Sequence, residues 1–147
     1  MYEIQAVIGD FNVIRLEEIP GTRIVTLPQE KVLIPFSKNF KNIKGIPDLP
    51  FTYDGEITLH PSIADFCRTI STHGKIAYVE AMFFGGTGTQ AHSLWNTGLM
   101  IGEPQVGLHA INRALKFLGV KKKRNLDEFD TLNLGKFRRI EDWLAET

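Results

Sequence analysis

Residues 75–101, with the sequence KIAYVEAMFFGGTGTQAHSLWNTGLMI, decide the fold. Lys75–Phe84 predicts a β-strand with two apolar faces, which is typical of a strand in the middle of a sheet. Two shorter strands are predicted at residues 91–95 and 99–101. They flank a short connection that ends in Gly98, a residue that can adopt the positive φ of a hairpin turn. We therefore expect these two strands to pair antiparallel next to the central one.

The first half of the chain is divided by prolines and glycines into short segments, which excludes long helices there. Segments 3–8, 12–16, 23–27 and 31–36 are rich in valine and isoleucine and predict four more strands. Residues 37–54 combine lysine, asparagine, proline and glycine with single apolar residues. This composition predicts a long ordered loop, with room for one short helical turn.

The second half carries the helix signals. Ser62 and Asp65 have the spacing of a capping box, and the apolar periodicity that follows predicts a helix over residues 62–73. The same periodicity predicts a helix over residues 106–118 with Leu108 on its apolar side, and a short C-terminal helix docked by Trp143. These elements together predict a single α+β domain over residues 1–147, with a mainly antiparallel sheet and about three helices packed on it.

Composition and charge exclude several classes of protein. The chain is 43% hydrophobic and 23% charged, as in a soluble globular domain of its length. Its 17 basic and 17 acidic side chains cancel, so it lacks the overall positive field that holds nucleic acid. No apolar run is long enough to span a membrane, and the N-terminus has no signal-peptide pattern. We therefore expect a cytoplasmic protein without a membrane partner.

Glu80 is the most unusual residue of the central strand, because burying an unpaired carboxylate costs free energy. Burial would raise the pKa of Glu80 and make it a candidate general acid or base. His92 lies on the next predicted strand, so the two residues form a candidate catalytic pair if the register places them on one face. The alternative is structural: Glu80 faces water or is neutralised by an arginine such as Arg113 or Arg139.

Three glycines in four positions follow the central strand. Their backbone amides could converge on an anion beside two threonine hydroxyls. A phosphate-binding loop needs a helix directly behind it, however, and neither that helix nor the Walker lysine is found here. The alternative is a glycine-rich turn or a bulged strand. The candidate ligand-binding residues are Gly85, Gly86, Thr87, Gly88, Thr89 and Gln90.

The other chemistry-bearing residues favour structural roles. The histidines and the single cysteine lack metal-ligand spacing, and we expect no metal and no cofactor. Cys67 lies on the apolar side of a predicted helix and is interpreted as a core residue. The basic run at residues 121–124 is followed by acidic residues, which favours a self-neutralising surface over contact with nucleic acid. Trp143 and the arginines near it form either an anchor for a protein partner or, for Trp143, part of the core.

Several segments together resemble a family of small uncharacterised bacterial proteins. They are AYVEA at residues 77–81, FFGGTGTQA at 83–91, AINRAL at 110–115, DEFD at 127–130, LG at 134–135 and EDW at 141–143. The resemblance covers residues 75–144 and implies a bacterial domain that stands alone. By analogy, small bacterial domains of this type often serve as antidotes or accessory partners to toxins.

We expect a non-enzymatic domain that binds another protein, in the manner of an immunity or accessory factor. The alternative is a small-ligand or nucleotide-handling enzyme that uses Glu80 and His92 beside the glycine-rich loop. The sequence thus leaves open whether the protein is an enzyme and whether the chain associates with a second copy of itself. Nucleic acid is not expected as a partner.

Overall fold

The computed structural model describes residues 1–14, 19–54 and 57–145. Its strands are β1 (Tyr2–Asp10), β2 (Val25–Thr26), β3 (Lys31–Pro35), β4 (Lys75–Phe84), β5 (Thr87–Asn96) and β6 (Leu99–Val106). Its α-helices are α1 (Lys38–Lys44), α2 (Pro50–Asp54), α3 (Pro61–Ile70), α4 (Ala110–Phe117) and α5 (Glu128–Thr131). Two short 3₁₀-helices, Ser71–His73 and Ile140–Ala145, complete the elements.

The six strands form one sheet in the order β2-β3-β1-β4-β5-β6, and each neighbouring pair is antiparallel. β1 and β4 are the two central strands, and β4 has the bounds that the sequence predicts. The predicted pairing of the strands on either side of Gly98 is also found, although both strands are longer than expected. The α+β fold with a mainly antiparallel sheet is therefore confirmed.

Helices cover both faces of the sheet, because β1 and β4 carry apolar side chains at both sets of alternate positions. On one face, called the α3 face, helices α1, α2 and α3 pack against side chains that include Ile76 and Tyr78. On the other, called the α4 face, α4 and the C-terminal segment pack against side chains that include Ala77 and Val79. Consecutive residues of β4 thus enter different cores.

Two predictions for the first half are wrong. Residues 12–14 form a turn and a bend instead of the start of a strand, and residues 15–16 of that prediction lie outside the described residues. The segment predicted as a loop contains α1 and α2. Helix α1 forms because the Ser37 hydroxyl accepts a hydrogen bond from the Phe40 amide at 3.1 Å, while Gly45, with a φ of 68°, ends it in the left-handed region.

The predicted helices of the second half are present, but their starts differ. His60, and not Ser62, caps α3: its Nδ1 accepts a hydrogen bond from the Ser62 amide at 3.2 Å, and Pro61 is the first helical residue. Helix α4 begins at Ala110, so Leu108 precedes it and is 66% exposed instead of buried. The longest α-helix in the described part of the chain, α3, has ten residues, which is too short to cross a bilayer.

Candidate functional site

Glu80 lies at the centre of β4 on the α3 face and has no exposed surface. Its Oε1 accepts a hydrogen bond from the Tyr78 hydroxyl at 2.7 Å. Its Oε2 accepts two more, from the amides of Phe51 at 3.0 Å and Thr52 at 2.9 Å. These amides belong to the first turn of α2, where they lack partners within the helix. The carboxylate therefore attaches α2 to the sheet.

The hydrogen bonds continue from Glu80 toward the surface. The Tyr78 hydroxyl accepts a hydrogen bond from Gln5 Nε2 at 3.1 Å, and Gln5 Oε1 accepts one from Lys41 Nζ at 3.1 Å. Lys41 also forms an ion pair with Asp48. The nearest cation in this chain of contacts is thus a lysine two side chains away. The expectation that Glu80 faces water or pairs with Arg113 or Arg139 is wrong, because amide and hydroxyl donors satisfy it instead.

Burial raises the pKa of Glu80 above its usual value, while the hydrogen bonds from Tyr78, Thr52 and Phe51 partly oppose this shift. Burial also raises the pKa of the Tyr78 hydroxyl, and the neighbouring Glu80 charge raises it further. Tyr78 therefore stays protonated, and its hydroxyl donates a hydrogen bond to the carboxylate. Neither group reaches solvent, so the pair has a structural role in attaching α2 to the sheet. That Glu80 also acts in catalysis stays a prediction.

His92 lies on β5 opposite Val79, while Glu80 lies opposite Ala91. Because side chains alternate along a strand, this register puts His92 on the α4 face and Glu80 on the α3 face. The predicted Glu80 and His92 pair on one face is therefore wrong. His92 is only 3% exposed, and its Nδ1 finds no hydrogen-bond partner among the described residues. Burial lowers the pKa of His92, and the positive charge of Arg113 lowers it further.

The glycine-rich loop is a tight turn between β4 and β5. Gly85 and Gly86 have φ values of 54° and 85°, as a two-residue hairpin turn with both central residues in the left-handed region requires. Gly88 lies in β5, where a Cβ would overlap the carbonyl oxygen of Met82. The three glycines thus have a structural role in the hairpin. That the loop also binds a ligand stays a prediction.

The remaining residues of the predicted ligand loop lie at the start of β5. Thr87 is exposed and Thr89 is half-buried. Gln90 has a different role, because its side-chain oxygen accepts a hydrogen bond from the Ile111 amide at 3.0 Å and so caps α4. Gln90 also lines a cavity of about 720 Å³ next to that cap. The last residue of the loop is therefore part of a concave surface.

The C-terminal segment contributes its aromatic residues to the core. Trp143 is 2% exposed and packs edge-to-face on Phe137 with ring centroids 4.8 Å apart. Of the two interpretations of Trp143, the structure thus supports the core.

Cys67 is fully buried on the α3 face, and burial raises the pKa of its thiol. Residues 121–124 are exposed.

Strand β6 concentrates exposed apolar side chains. Residues 99–108 contain five of the twelve large hydrophobic side chains that are exposed in the described structure, namely Leu99, Met100, Ile101, Val106 and Leu108. Within the described residues, β6 is an edge strand with β5 as its one neighbour. Edge strands are usually protected by charges, prolines or bulges, so this exposed apolar stretch on an edge is a candidate binding surface.

Sequence reasoning missed the partners of Glu80 and the exposure of β6. One signal was available for the first: Tyr78 is two residues from Glu80 and so on the same face. Gln5 and Lys41 carried no such signal, because their contacts depend on strand order and on where α1 packs. For β6, the apolar pattern predicts a strand, but the pattern alone does not distinguish an edge from an inner position.

In comparisons with family models, curated proteins and solved structures, this chain has no significant match.

Proposed function

We propose that this protein binds another protein, in the manner of an immunity or accessory factor, and that an extended segment of the partner pairs with strand β6. The observation that carries the proposal is the row Leu99, Met100 and Ile101, which are 69%, 41% and 42% exposed on an edge strand. Burying such side chains against a partner is favourable by about 25 cal/mol per Å² of apolar surface.

The backbone of this row is available for pairing at Met100. Asn96 and Leu99 close the two-residue turn between β5 and β6, so they form a hydrogen-bonded pair. The next pair, Trp95 and Met100, is then not hydrogen bonded. The N–H and C=O of Met100 therefore point away from β5, toward the position that an added strand would occupy.

The rest of β6 is protected, which limits the length of the added strand. His92 pairs with Gln105 and Leu94 with Ile101, so residues 102–104 of β6 bulge opposite a single residue of β5. Pro104 within this bulge has no amide hydrogen to donate. Bulges and prolines are devices that prevent pairing at sheet edges, and here they leave residues 99–101 as the open segment.

A cleft next to the open segment provides a place for a partner side chain. It has a volume of about 490 Å³ and lies between β6, α3 and residues 57–59. Met100 and Trp95 form part of its wall, and Arg68 lies over the Trp95 ring at 5.7 Å. In strand addition, backbone pairing provides affinity and such side-chain pockets provide specificity. The partner segment should thus be extended, apolar and uncharged, like residues 99–102 themselves.

The test begins with photo-crosslinking in the cells from which the gene comes. The crosslinking amino acid p-benzoylphenylalanine replaces Leu99 in one variant and Leu126, which is also exposed, in a control. We expect Leu99 to give a crosslinked protein that Leu126 does not give. Equal products from both positions contradict the proposal, and a product that contains only a second copy of this chain replaces the partner with self-association.

The identified partner is then purified and mixed with this protein. We expect the Met100 amide to exchange its hydrogen more slowly in the complex, because strand addition gives that amide an acceptor. We expect Leu99→Lys or Ile101→Lys to weaken binding by about tenfold or more and Leu126→Lys to leave it unchanged. Unchanged exchange at Met100 contradicts the pairing of strands, and tight binding by both lysine variants contradicts the surface.

A further inference from the structure

The cavity beside Gln90, called the α4 pocket, lies near the start of β5. Met100 of β6 pairs with Trp95, near the other end of β5. Its volume of about 720 Å³ falls in the range of small-molecule sites. Three parts of the chain form it: the adjoining ends of the central strands, the start of α4, and residues that follow α4. The α4 pocket is therefore separate from the surface proposed for a protein partner.

One wall of the α4 pocket is aromatic and held in place. It consists of Tyr2, Phe83 and Phe129. The Tyr2 ring meets Phe129 edge-to-face with centroids 5.6 Å apart, and the Tyr2 hydroxyl donates a hydrogen bond to the Leu134 carbonyl at 2.9 Å. These contacts fix the ring before any ligand arrives. A preformed wall of this kind suits a flat aromatic ligand.

The amide and carboxylate oxygens around the α4 pocket each accept one hydrogen bond within the protein. Gln90 Oε1 accepts from the Ile111 amide. Asn112 Oδ1 accepts from the Phe129 amide at 2.9 Å, and its Nδ2 donates to Asp127 Oδ2 at 3.1 Å. The other oxygen of Asp127 accepts from the Asp130 amide at 2.8 Å. Gln90 and Asn112 therefore offer a ligand mainly donors, whereas Asp127 keeps further lone pairs and its negative charge.

Besides Asn112, three side chains of the α4 pocket keep a donor for a ligand: Gln90, Arg138 and His109, whose ring makes no hydrogen bond among the described residues. The amide nitrogen of Gln90 has no acceptor among the described residues, and neither has the guanidinium of Arg138. The Arg138 backbone is fixed, because its carbonyl accepts a hydrogen bond from the Glu3 amide at 2.8 Å. An arginine with an anchored backbone and a free guanidinium is suited to bidentate hydrogen bonds with a carboxylate.

From this wall and these donors we infer that the α4 pocket binds a small aromatic carboxylate. The ring lies against Tyr2, Phe83 and Phe129, and the carboxylate accepts hydrogen bonds from Arg138 and Gln90. The start of α4 at the same place adds the positive end of a helix dipole, which favours an anion.

The test uses sodium 2-naphthoate as the probe and 2-naphthamide, which has the same shape without the charge, as its control. Binding is followed by NMR on the ¹⁵N-labelled full chain. We expect naphthoate to shift the amide signals of Gln90, Ile111 and Phe129 and to bind about tenfold more tightly than naphthamide. Equal binding of the two probes overturns the carboxylate site, and so do shifts confined to residues 99–101 or no shifts at millimolar probe.

Arg138 and its neighbour Arg139 provide a matched pair of variants, because both are exposed but only Arg138 lines the α4 pocket. We expect Arg138→Gln to weaken naphthoate binding about tenfold and to leave naphthamide binding unchanged. Arg138→Lys should restore part of the affinity, and Arg139→Gln should have no effect. Equal losses in the two glutamine variants overturn the assignment of Arg138. All these outcomes are independent of whether β6 binds a protein.

Discussion

Glu80 and His92 lie on neighbouring strands and are both excluded from solvent, yet they differ in their hydrogen-bond partners. Glu80 accepts three hydrogen bonds from the backbone and from Tyr78, whereas His92 Nδ1 has no partner among the described residues. On the α3 face, the carboxylate of Glu80 thus attaches helix α2 to the sheet. On the α4 face, Nδ1 of His92 has no hydrogen-bond partner among the described residues. The difference shows that burial alone does not identify a catalytic residue, since partners decide what the group does.

The largest effect is expected from removing the carboxylate. Glu80→Ala leaves the amides of Phe51 and Thr52 and the Tyr78 hydroxyl without an acceptor, and each buried unsatisfied donor costs about 1–3 kcal/mol. We expect the free energy of unfolding to fall by about 3 kcal/mol or more, measured by urea denaturation at pH 7. Glu103→Ala, on exposed β6, is the control and should change it by less than about 0.5 kcal/mol. A loss below about 1 kcal/mol for Glu80→Ala would contradict the role of Glu80 in holding α2.

The pH dependence of stability should separate the two groups by sign, beginning with Glu80. The pKa of Glu80 in the folded protein is raised above the ordinary value of 4.5. At pH values between 4.5 and this raised pKa, the folded state therefore binds more protons than the unfolded state. The contribution of Glu80 to stability is thus greatest at low pH and is lost as the pH rises through the folded pKa. We expect the difference in unfolding free energy between wild type and Glu80→Gln to fall as the pH rises from 4.5. A difference that grows with pH would contradict the raised pKa.

His92 should show the opposite dependence. Its pKa in the folded protein is below 6.5, so the unfolded state takes up a proton first as the pH falls. Wild type should therefore lose stability below pH 6.5 relative to His92→Leu, as measured by denaturation at a series of pH values. His73→Asn, which replaces an exposed histidine, is the control variant. If the free energy of unfolding of His92→Leu and of wild type falls equally with pH, His92 binds protons equally in the folded and unfolded states. That result would contradict the lowered pKa.

The smallest effect is expected from His92→Leu at pH 8. The substitution removes a ring nitrogen that has no partner in the described structure and keeps an apolar side chain on the α4 face. Losing an unsatisfied polar group is close to neutral, so the free energy of unfolding should stay within about 1 kcal/mol of wild type. A loss above about 2 kcal/mol at this pH would mean that the ring makes a stabilising contact through its other nitrogen.

Much of the fold was predictable because it depends on local patterns. The alternation and apolar content of Lys75–Phe84 predict its strand with the observed bounds, and the periodicity near Ile63 and Ile111 places α3 and α4. Predictions failed where a short segment had several options. Residues 38–44 form a helix because a serine caps them and a core receives Phe40, and neither condition stands out among lysines and asparagines.

The candidate sites were less predictable, because they combine residues that are far apart in the chain. The α4 pocket brings Tyr2 within reach of Phe129 and Arg138, and the Glu80 network brings Gln5 and Lys41 to the middle of β4. Pairing these segments requires the strand order, and the strand order is a property of the whole sheet.

The sequence by itself determined which segments are strands and helices, and that β4 lies in the interior, because hydrophobic periodicity and turn residues act over a few residues. It also singled out Glu80 as the unusual residue of that strand, but left open whether the carboxylate is buried or faces water. Only the tertiary structure decided that His92 lies on the other face, since a shift of one residue in register moves every side chain of a strand to the opposite side. It likewise decided that β6 is an edge, which is where the apolar residues 99–101 acquire their proposed function.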